Sequence, residues 1–326
     1  MAAPWNHLRG ALLTAPWVVW LFVVDVLVSS LLPLKPFFPD ATYHLSSLLA
    51  STVWLWIQRI FTSANGAHIS VSGDALPRGE SAVVVANHVG WSDFYLIQAL
   101  ALDAGMLGRC RYFAKIQLRW VPFLGWGLWG LGMPMVSRKW DRDRKELDRV
   151  FGGIVRRGWP TCMYRYPARI RRARRTADPN PLTSTGLISF SEASRYTPSK
   201  HAESVAWCEA NRRPQPRHLL YPRTKGFLAT VQHLREAPHV RAVYDLTLAY
   251  QRGSVFQAPP TFWETLSAPG LSAGPKPYRF HVHARRFPLA DLPAGDDELA
   301  RWLERRWVEK GEWLEAKRVE WAGETR

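Results

Sequence analysis

The chain has 326 residues, of which 47% are hydrophobic and 21% are charged. This composition excludes a disordered or collagen-like chain and is sufficient for one large domain or two small ones. The net charge of +16 favours phosphate-bearing partners, either nucleic acid or a membrane surface. The three cysteines have no zinc-ligand or CxxC spacing, which argues against a disulfide framework and a structural zinc site. Many of the 17 tryptophans lie beside apolar runs, which shifts the balance towards a membrane.

Residues 1–64 are predicted to form an N-terminal membrane anchor of one or two hydrophobic helices. The run 11–34 contains 24 residues with Asp25 as its only charge, which is long enough to cross the hydrocarbon core. It has no clear cleavage site, so a retained anchor is favoured over a signal peptide. The shorter run 45–61 fits a re-entrant or interfacial helix, a full span or a buried core helix. A charge is costly in lipid, so Asp25 is expected to face a partner helix or the protein interior.

Residues 65–293 are predicted to form an α/β domain, with a mixed sheet flanked by helices, because short β-rich runs alternate with helical stretches. The predicted strands are 68–73, 81–88, 111–115, 133–138, 187–190, 218–223 and 240–250. The predicted helices are 92–102, 141–156, 199–212 and 224–235. The apolar stretch 120–135 is interpreted either as a segment at the membrane that admits an acyl chain or as a buried core segment.

Residues 294–326 form the C-terminal part, where apolar side chains recur at helical spacing among charges. This pattern predicts an amphipathic helix over 297–318. Its apolar side is expected either to pack on the domain or to lie on the membrane.

The most reactive side chains follow the second predicted strand. Asn87 and His88 end this strand, and Asp93 begins the next helix. Ligands of α/β proteins usually bind at such a sheet edge. His88 is suited to act as a general base near neutral pH, with Asp93 orienting its second ring nitrogen. The alternative is a helix-capping Asp93 and a His88 that only ends the strand. The sequence has no metal cluster, phosphate loop or dinucleotide motif, so neither a metal nor a cofactor is predicted.

Three further motifs follow Asn87-His88-x4-Asp93 in a fixed order. The second is Lys115 with 121–138, which ends in Arg138. The third is Phe-Ser-Glu-Ala-Ser-Arg at 190–195, and the fourth is a proline-centred predicted strand at 220–227. Together the four motifs resemble the glycerolipid acyltransferase family, specifically the eukaryotic lysophospholipid acyltransferases, over about residues 16–314. Two later segments, 243–247 and 280–293, are similar to the branch that includes the lysophosphatidate, lysocardiolipin and lysophosphatidylinositol acyltransferases.

The resemblance implies the glycerolipid acyltransferase fold and an O-acyltransferase that uses acyl-CoA as co-substrate. The acceptor would be the free hydroxyl of a lysophospholipid, such as lysophosphatidic acid or lysophosphatidylinositol. His88 and Asp93 would be catalytic. The implied substrate-binding residues are Glu192, Arg195, Lys115, Arg138, Pro222 and Lys225. A guanidinium binds phosphate in a bidentate manner, so Arg195 is the candidate for the acceptor phosphate. Where the family's third motif has Gly-Thr, this chain has Ala193 and Ser194.

The resemblance also implies membrane lipids, and no nucleic acid, as partners. The endoplasmic reticulum or another endomembrane is the expected location. If both N-terminal runs cross the bilayer, Arg9 and Arg59 lie on the same side as the domain. The positive-inside tendency then places the catalytic domain in the cytosol.

Residues 162–185 interrupt the approach to the third motif with six arginines and three prolines. One interpretation is a basic loop that touches anionic lipid headgroups. The other is an intron retained in the gene sequence, because these residues permit a donor, a branch site and an acceptor, and excision stays in frame. The repaired chain would join Thr161 to Leu187 through one tryptophan.

Without this block the net charge falls to about +11. If the protein contains the block, the third motif is expected to be held less rigidly, and the alternative function is a catalytically impaired membrane protein of the same fold.

Overall fold

The computed structural model describes residues 4–137, 140–157, 186–192 and 194–324. Arg138, Ala193 and the block 162–185 lie outside the described residues, so the predictions made for them remain predictions.

The described helices are α1 (Pro4–Ser30), α2 (Pro39–Arg59), α3 (Asp93–Asp103), α4 (Leu124–Gly130), α5 (Trp140–Arg157), α6 (Pro198–Ala210), α7 (Thr224–Leu234), α8 (Phe262–Ser267) and α9 (Asp296–Gly323). The described strands are β1 (Ile69–Gly73), β2 (Ser81–Ala86), β3 (Cys110–Tyr112), β4 (Ala114–Lys115), β5 (Met135–Val136), β6 (Gly186–Phe190), β7 (Val240–Arg252), β8 (Val255–Phe256) and β9 (Tyr278–Pro288).

One mixed sheet organises the fold, with the strand order β1-β9-β7-β2-β6-β3. Strand β2 runs parallel to both β6 and β7, whereas β9 is antiparallel to β7. Every residue of β2 is buried. Val83 and Val85 belong to the core shared with α5, α7 and α9, and Val84 belongs to the core shared with α1, α2 and α3. Helices therefore cover both faces of the sheet, which confirms the predicted mixed α/β fold.

The strand predicted at 218–223 is wrong, and so is the strand assigned to the fourth motif at 220–227. The segment 218–223 is a loop, and α7 begins at Thr224. His218 has a φ of 62°, outside the β region, and Pro222 has no N–H to donate to a strand ladder. Instead, the backbone N–H of Arg223 donates to the carbonyl oxygen of Ser191 at 2.8 Å. The loop thus lies against the third motif.

The segment Pro4–Leu34, which comprises α1 and the short helical turn after it, is long and apolar enough to cross a membrane. Within the described residues it is the single helical segment that meets this description. The second apolar run forms most of α2. Ala50, Val53 and Ile57 of this helix are buried in the core. This burial favours the interpretation of the second run as a packed helix over a full span.

Helix α1 lies along the domain and contacts it at both ends. Near its start, Arg9 Nη1 donates to Asn65 Oδ1 at 2.6 Å. Just beyond its end, Lys35 Nζ donates to the carbonyl oxygen of Gly130 at 3.1 Å. In between, Asp25 lies against Gly127 of α4, where a Cβ would come within 2.7 Å of Asp25 Oδ1. Asp25 therefore faces a partner helix, and glycine permits the close approach of α4.

Candidate functional site

The site begins where β2 ends. The Asn87 side-chain amide forms two hydrogen bonds with the backbone of Leu248 in β7, as a neighbouring strand would. Its Nδ2 donates to the Leu248 carbonyl oxygen at 3.0 Å, and its Oδ1 accepts from the Leu248 N–H at 2.8 Å. This buried pair satisfies both polar ends of the amide and ties the turn to β7. The chain then leaves the sheet at His88, whose side chain is 14% exposed.

Asp93 is fully buried and accepts hydrogen bonds from four donors. His88 Nδ1 lies 2.7 Å from Asp93 Oδ2, and the backbone N–H of Val89 donates to the same oxygen at 2.8 Å. The Gly90 N–H lies 3.2 Å from both carboxylate oxygens, and the Tyr250 hydroxyl donates to Oδ1 at 2.6 Å. The two backbone donors precede α3, so this carboxylate organises the turn before the helix and does not cap the first helical N–H groups.

The geometry defines which nitrogen of His88 is available for chemistry. A carboxylate accepts hydrogen bonds only, so Asp93 selects the tautomer with the proton on Nδ1. This leaves Nε2 as the nitrogen that can accept a proton, and the buried negative charge stabilises the imidazolium that results.

Tyr250 is a site residue that the sequence does not reveal. It lies near the end of β7 and is separated from Asp93 by 157 positions. Burial, together with the adjacent Asp93 charge, raises the pKa of Tyr250 well above its ordinary value, so the hydroxyl stays protonated and donates to the carboxylate. A β-rich run alone gives no signal for this contact, because the contact depends on the register of β7 against β2.

Glu192 of the third motif connects the His88 turn to the C-terminal helix. Its Oε2 accepts from the His88 backbone N–H at 3.3 Å, and its Oε1 accepts from Trp307 Nε1 at 3.2 Å. Burial raises the pKa of Glu192 to about 8, while the N–H groups of Trp307 and His88 act in the opposite direction. Beside it, Lys310 Nζ lies 2.5 Å from Asp245 Oδ1. Burial lowers the pKa of Lys310, and the Asp245 charge opposes this shift.

The third motif also brings Arg195 to the His88 turn. The Arg195 side chain is exposed, and its guanidinium carbon lies 6.0 Å from the ring centre of Trp91. The next residue, Tyr196, donates its backbone N–H to the His88 carbonyl oxygen at 2.8 Å. An exposed guanidinium beside a general-base candidate is suited to hold an anionic group of a substrate.

Two sequence profiles match this chain: Acyltransferase over residues 68–249 and Acyltransferase C-terminus over residues 271–316. The first covers more than half of the chain and includes the turn from His88 to Asp93. The chain belongs to the acyltransferase family.

Among named relatives, this acyltransferase-family chain is 32% identical over 231 residues to the human 1-acyl-sn-glycerol-3-phosphate acyltransferase delta, covering 71% of this chain and 51% of the relative. It is 27% identical over 285 residues to lysocardiolipin acyltransferase 1 of Danio rerio, covering 87% and 64%. The chain spans about half the length of the first of these relatives. The solved structure of the 1-acyl-sn-glycerophosphate acyltransferase PlsC from Thermotoga maritima is 14% identical, with a TM-score of 0.45, over 95% of this chain and 98% of that one.

The other predicted site residues of this acyltransferase-family chain differ in their placement. Pro222 is buried in the loop that contacts the third motif. Lys115 on β4 and Lys225 in the first turn of α7 are both exposed, and in the described part of the chain no hydrogen bond or ion pair joins either lysine to the His88 turn. Among the residues that the structure describes, no group of three or more potential ligands could hold a metal ion.

Proposed function

We propose that this protein transfers a fatty acyl group from acyl-CoA to the free hydroxyl of a lysophospholipid, such as lysophosphatidic acid or lysophosphatidylinositol, in phospholipid synthesis or remodelling. The observation that carries the proposal is the hydrogen bond of 2.7 Å between His88 Nδ1 and an Asp93 that is fully buried. Membership of the acyltransferase family and the names of the relatives support this choice of reaction.

In the proposed reaction, His88 Nε2 takes the proton of the acceptor hydroxyl as the hydroxyl oxygen attacks the thioester carbonyl. The new carbon–oxygen bond forms, the carbon–sulfur bond breaks, and the coenzyme A thiolate leaves. The proton on His88 then passes to this thiolate. Asp93 keeps Nδ1 protonated throughout and stabilises the positive charge on the ring.

We place the acceptor phosphate at Arg195, since its guanidinium is exposed beside the turn that bears His88. Lys115, Arg138 and Lys225 remain candidates for contacts with phosphate or coenzyme A. Holding the phosphate fixes the position of the hydroxyl, and such positioning lowers the barrier of a two-substrate reaction.

The proposal includes a membrane location, at the endoplasmic reticulum or another endomembrane, with the catalytic domain on the cytosolic side. Phe22 of α1 is 55% exposed, and Trp120 and Trp126 before and within α4 are 81% and 47% exposed. The rings of Phe22 and Phe123 lie 5.4 Å apart, and Phe123 lies 5.4 Å from Trp126. The apolar side of α1 and the tryptophan-rich stretch therefore form a continuous surface suited to lipid.

The test is an assay of the full chain in detergent with an acyl-CoA and a panel of lysophospholipids, following both thiol release and phospholipid formation. His88→Ala is expected to lower kcat by about 10²- to 10⁴-fold, the range for loss of a general base. His233→Ala is the matched control, because His233 Nε2 also lies 2.7 Å from an aspartate, Asp148, but on the surface. Activity that survives His88→Ala would refute the general-base assignment, and no transfer to any lysophospholipid would refute the function.

The same assay separates an active enzyme from a catalytically impaired protein of this fold. We propose to compare the chain with a version in which 162–186 is replaced by one tryptophan, and to sequence the transcript. Higher activity of the shorter version, with a transcript that lacks the 72 bases (24 codons), would support the retained intron. A dominant transcript that carries these bases would exclude it.

A further inference from the structure

The C-terminal helix reaches the buried side of the candidate site. Trp307 of α9 is fully buried, and its Nε1 donates to Glu192 Oε1 at 3.2 Å. The other oxygen of the same carboxyl group accepts from the His88 backbone N–H. Glu192 therefore forms a bridge of two hydrogen bonds between α9 and the backbone of the general-base candidate. Both oxygens act as acceptors, an arrangement that favours the carboxylate over the protonated acid.

One turn further along α9, Lys310 is 3% exposed. Its Nζ donates to the Leu246 carbonyl oxygen at 2.6 Å and pairs with Asp245. An isolated buried ion pair is often no more stabilising than well-packed apolar side chains, so stability alone does not account for Lys310. Besides pairing with Asp245, the positive charge of Lys310 favours the ionised form of Glu192.

We propose that Trp307 is a positioning residue for the acyl transfer: its N–H holds the Glu192 side chain, Glu192 in turn holds the backbone of His88, and the buried charge of Lys310, one turn along the same helix, supports this arrangement. This inference rests on the proposed function and assigns a role in that reaction to the C-terminal helix. Trp307 acts through its N–H, and Lys310 acts through its charge.

The ionisation of Glu192 depends on groups from several elements. Asp93 at the start of α3 disfavours its charged form, whereas Lys310 and the two N–H donors favour it. Burial and, to a smaller extent, the nearby Glu192 charge raise the pKa of Tyr196. Removing the Trp307 N–H or the Lys310 charge should therefore raise the pKa of Glu192 further. The bond from the His88 N–H then weakens, because a neutral acid is a poorer acceptor.

The test compares Trp307→Phe and Lys310→Met with Trp302→Phe in the full chain. Trp302 lies on the same helix, is also buried, and stacks on Phe227, so its substitution changes core packing without touching Glu192. We expect Trp307→Phe to lower kcat near neutral pH by up to about tenfold, from the loss of one hydrogen bond to the Glu192 carboxyl group, with both KM values unchanged within about twofold. Trp302→Phe is expected to lower the melting temperature and leave kcat unchanged.

A double-mutant cycle with Glu192→Gln separates positioning from general destabilisation. In that background Trp307→Phe should cause little additional loss of kcat. The same tenfold loss with and without Glu192 would overturn the proposal, and so would an equal loss in Trp302→Phe. If Trp307→Phe does not fold, Lys310→Met serves in the same cycle.

A second measurement does not depend on enzymatic activity. It therefore tests this inference separately from the proposed function. The infrared carbonyl band of the protonated Glu192 acid, identified by its absence in Glu192→Gln, is titrated with pH. Trp307→Phe and Lys310→Met should each move its midpoint upward, by about one pH unit for one hydrogen bond to a charge. Unchanged midpoints in both variants would overturn the inference even if the wild-type protein is an active acyltransferase.

Discussion

Replacing Asp93 by asparagine should separate the charge of this residue from its hydrogen bonds. The Val89 N–H points at Oδ2 from 2.8 Å, so the amide oxygen of asparagine should take that position and the amide nitrogen should face Tyr250, whose hydroxyl can accept. His88 Nδ1 then keeps an acceptor, and the ring keeps its tautomer. What Asp93→Asn removes is the negative charge beside the imidazolium.

The magnitude follows from the separation of the two charges. The Nδ1 to Oδ2 distance is 2.7 Å, which places the centres of the ring and the carboxylate roughly 4 Å apart. Two unit charges at this distance interact by about 4 kcal/mol in an effective dielectric constant of about 20. The barrier of the proton-transfer step should rise by a similar amount, which lowers kcat by about 10³-fold.

The comparison with Asp93→Ala completes the test. Alanine leaves the buried donors of Val89, Gly90 and Tyr250 without an acceptor, at a cost of about 1–3 kcal/mol each. We therefore expect Asp93→Ala to lose both activity and stability, and Asp93→Asn to lose mainly activity. Initial rates and urea unfolding in detergent measure the two quantities. A kcat for Asp93→Asn above about a tenth of the wild-type value would refute the assigned role of the charge.

Two further predictions concern packing and pH. Gly127→Ala should be less stable than Gly226→Ala by about 1 kcal/mol in thermal unfolding, because both glycines lie in helices but the new Cβ at Gly127 meets Asp25 Oδ1 at 2.7 Å, whereas Gly226 has no atom within 4 Å. Glu80 is partly buried, which disfavours its charge, but hydrogen bonds from Arg286 and Tyr244 outweigh burial and lower its pKa below the ordinary 4.5. Its contribution to stability should therefore be present above about pH 4.5 and lost in more acidic solution. Glu80→Gln should destabilise the protein at pH 7 and progressively less as the pH falls below 4.5, and a difference that does not shrink with acidification would contradict this reasoning.

Local patterns in the sequence predicted the helix-flanked mixed sheet, and the ordered motifs that resemble the acyltransferase family singled out His88 and Asp93. The two residues are close in sequence, so the strand-to-helix turn alone brings them together. Tyr250 contacts Asp93 across 157 positions, and Trp307 contacts Glu192 across 115 positions. The first contact depends on strand register and the second on the packing of α9, and no local pattern encodes either.

The wrong strand at 218–223 has a related cause. Its apolar residues Leu219 and Leu220 are buried, as they would be in a strand. Burial of a short apolar run does not distinguish a strand from a loop that is held against the core. Pro222 is a local signal against a strand, whereas the hydrogen bond from the Arg223 N–H to Ser191 of the third motif is a tertiary interaction.

The attachment of α1 at both ends has a kinetic consequence. Contacts of Arg9 at one end and Lys35 at the other keep the helix from swinging away from the domain, so a helix that settles in lipid also fixes the tilt of the domain against the bilayer. If the substrate is a lysolipid in the same bilayer, as proposed, it reaches the site by lateral diffusion and the substrate search is two-dimensional. Under the proposed function, the rate should follow the mole fraction of lysolipid in mixed micelles at constant bulk concentration, which is surface-dilution behaviour.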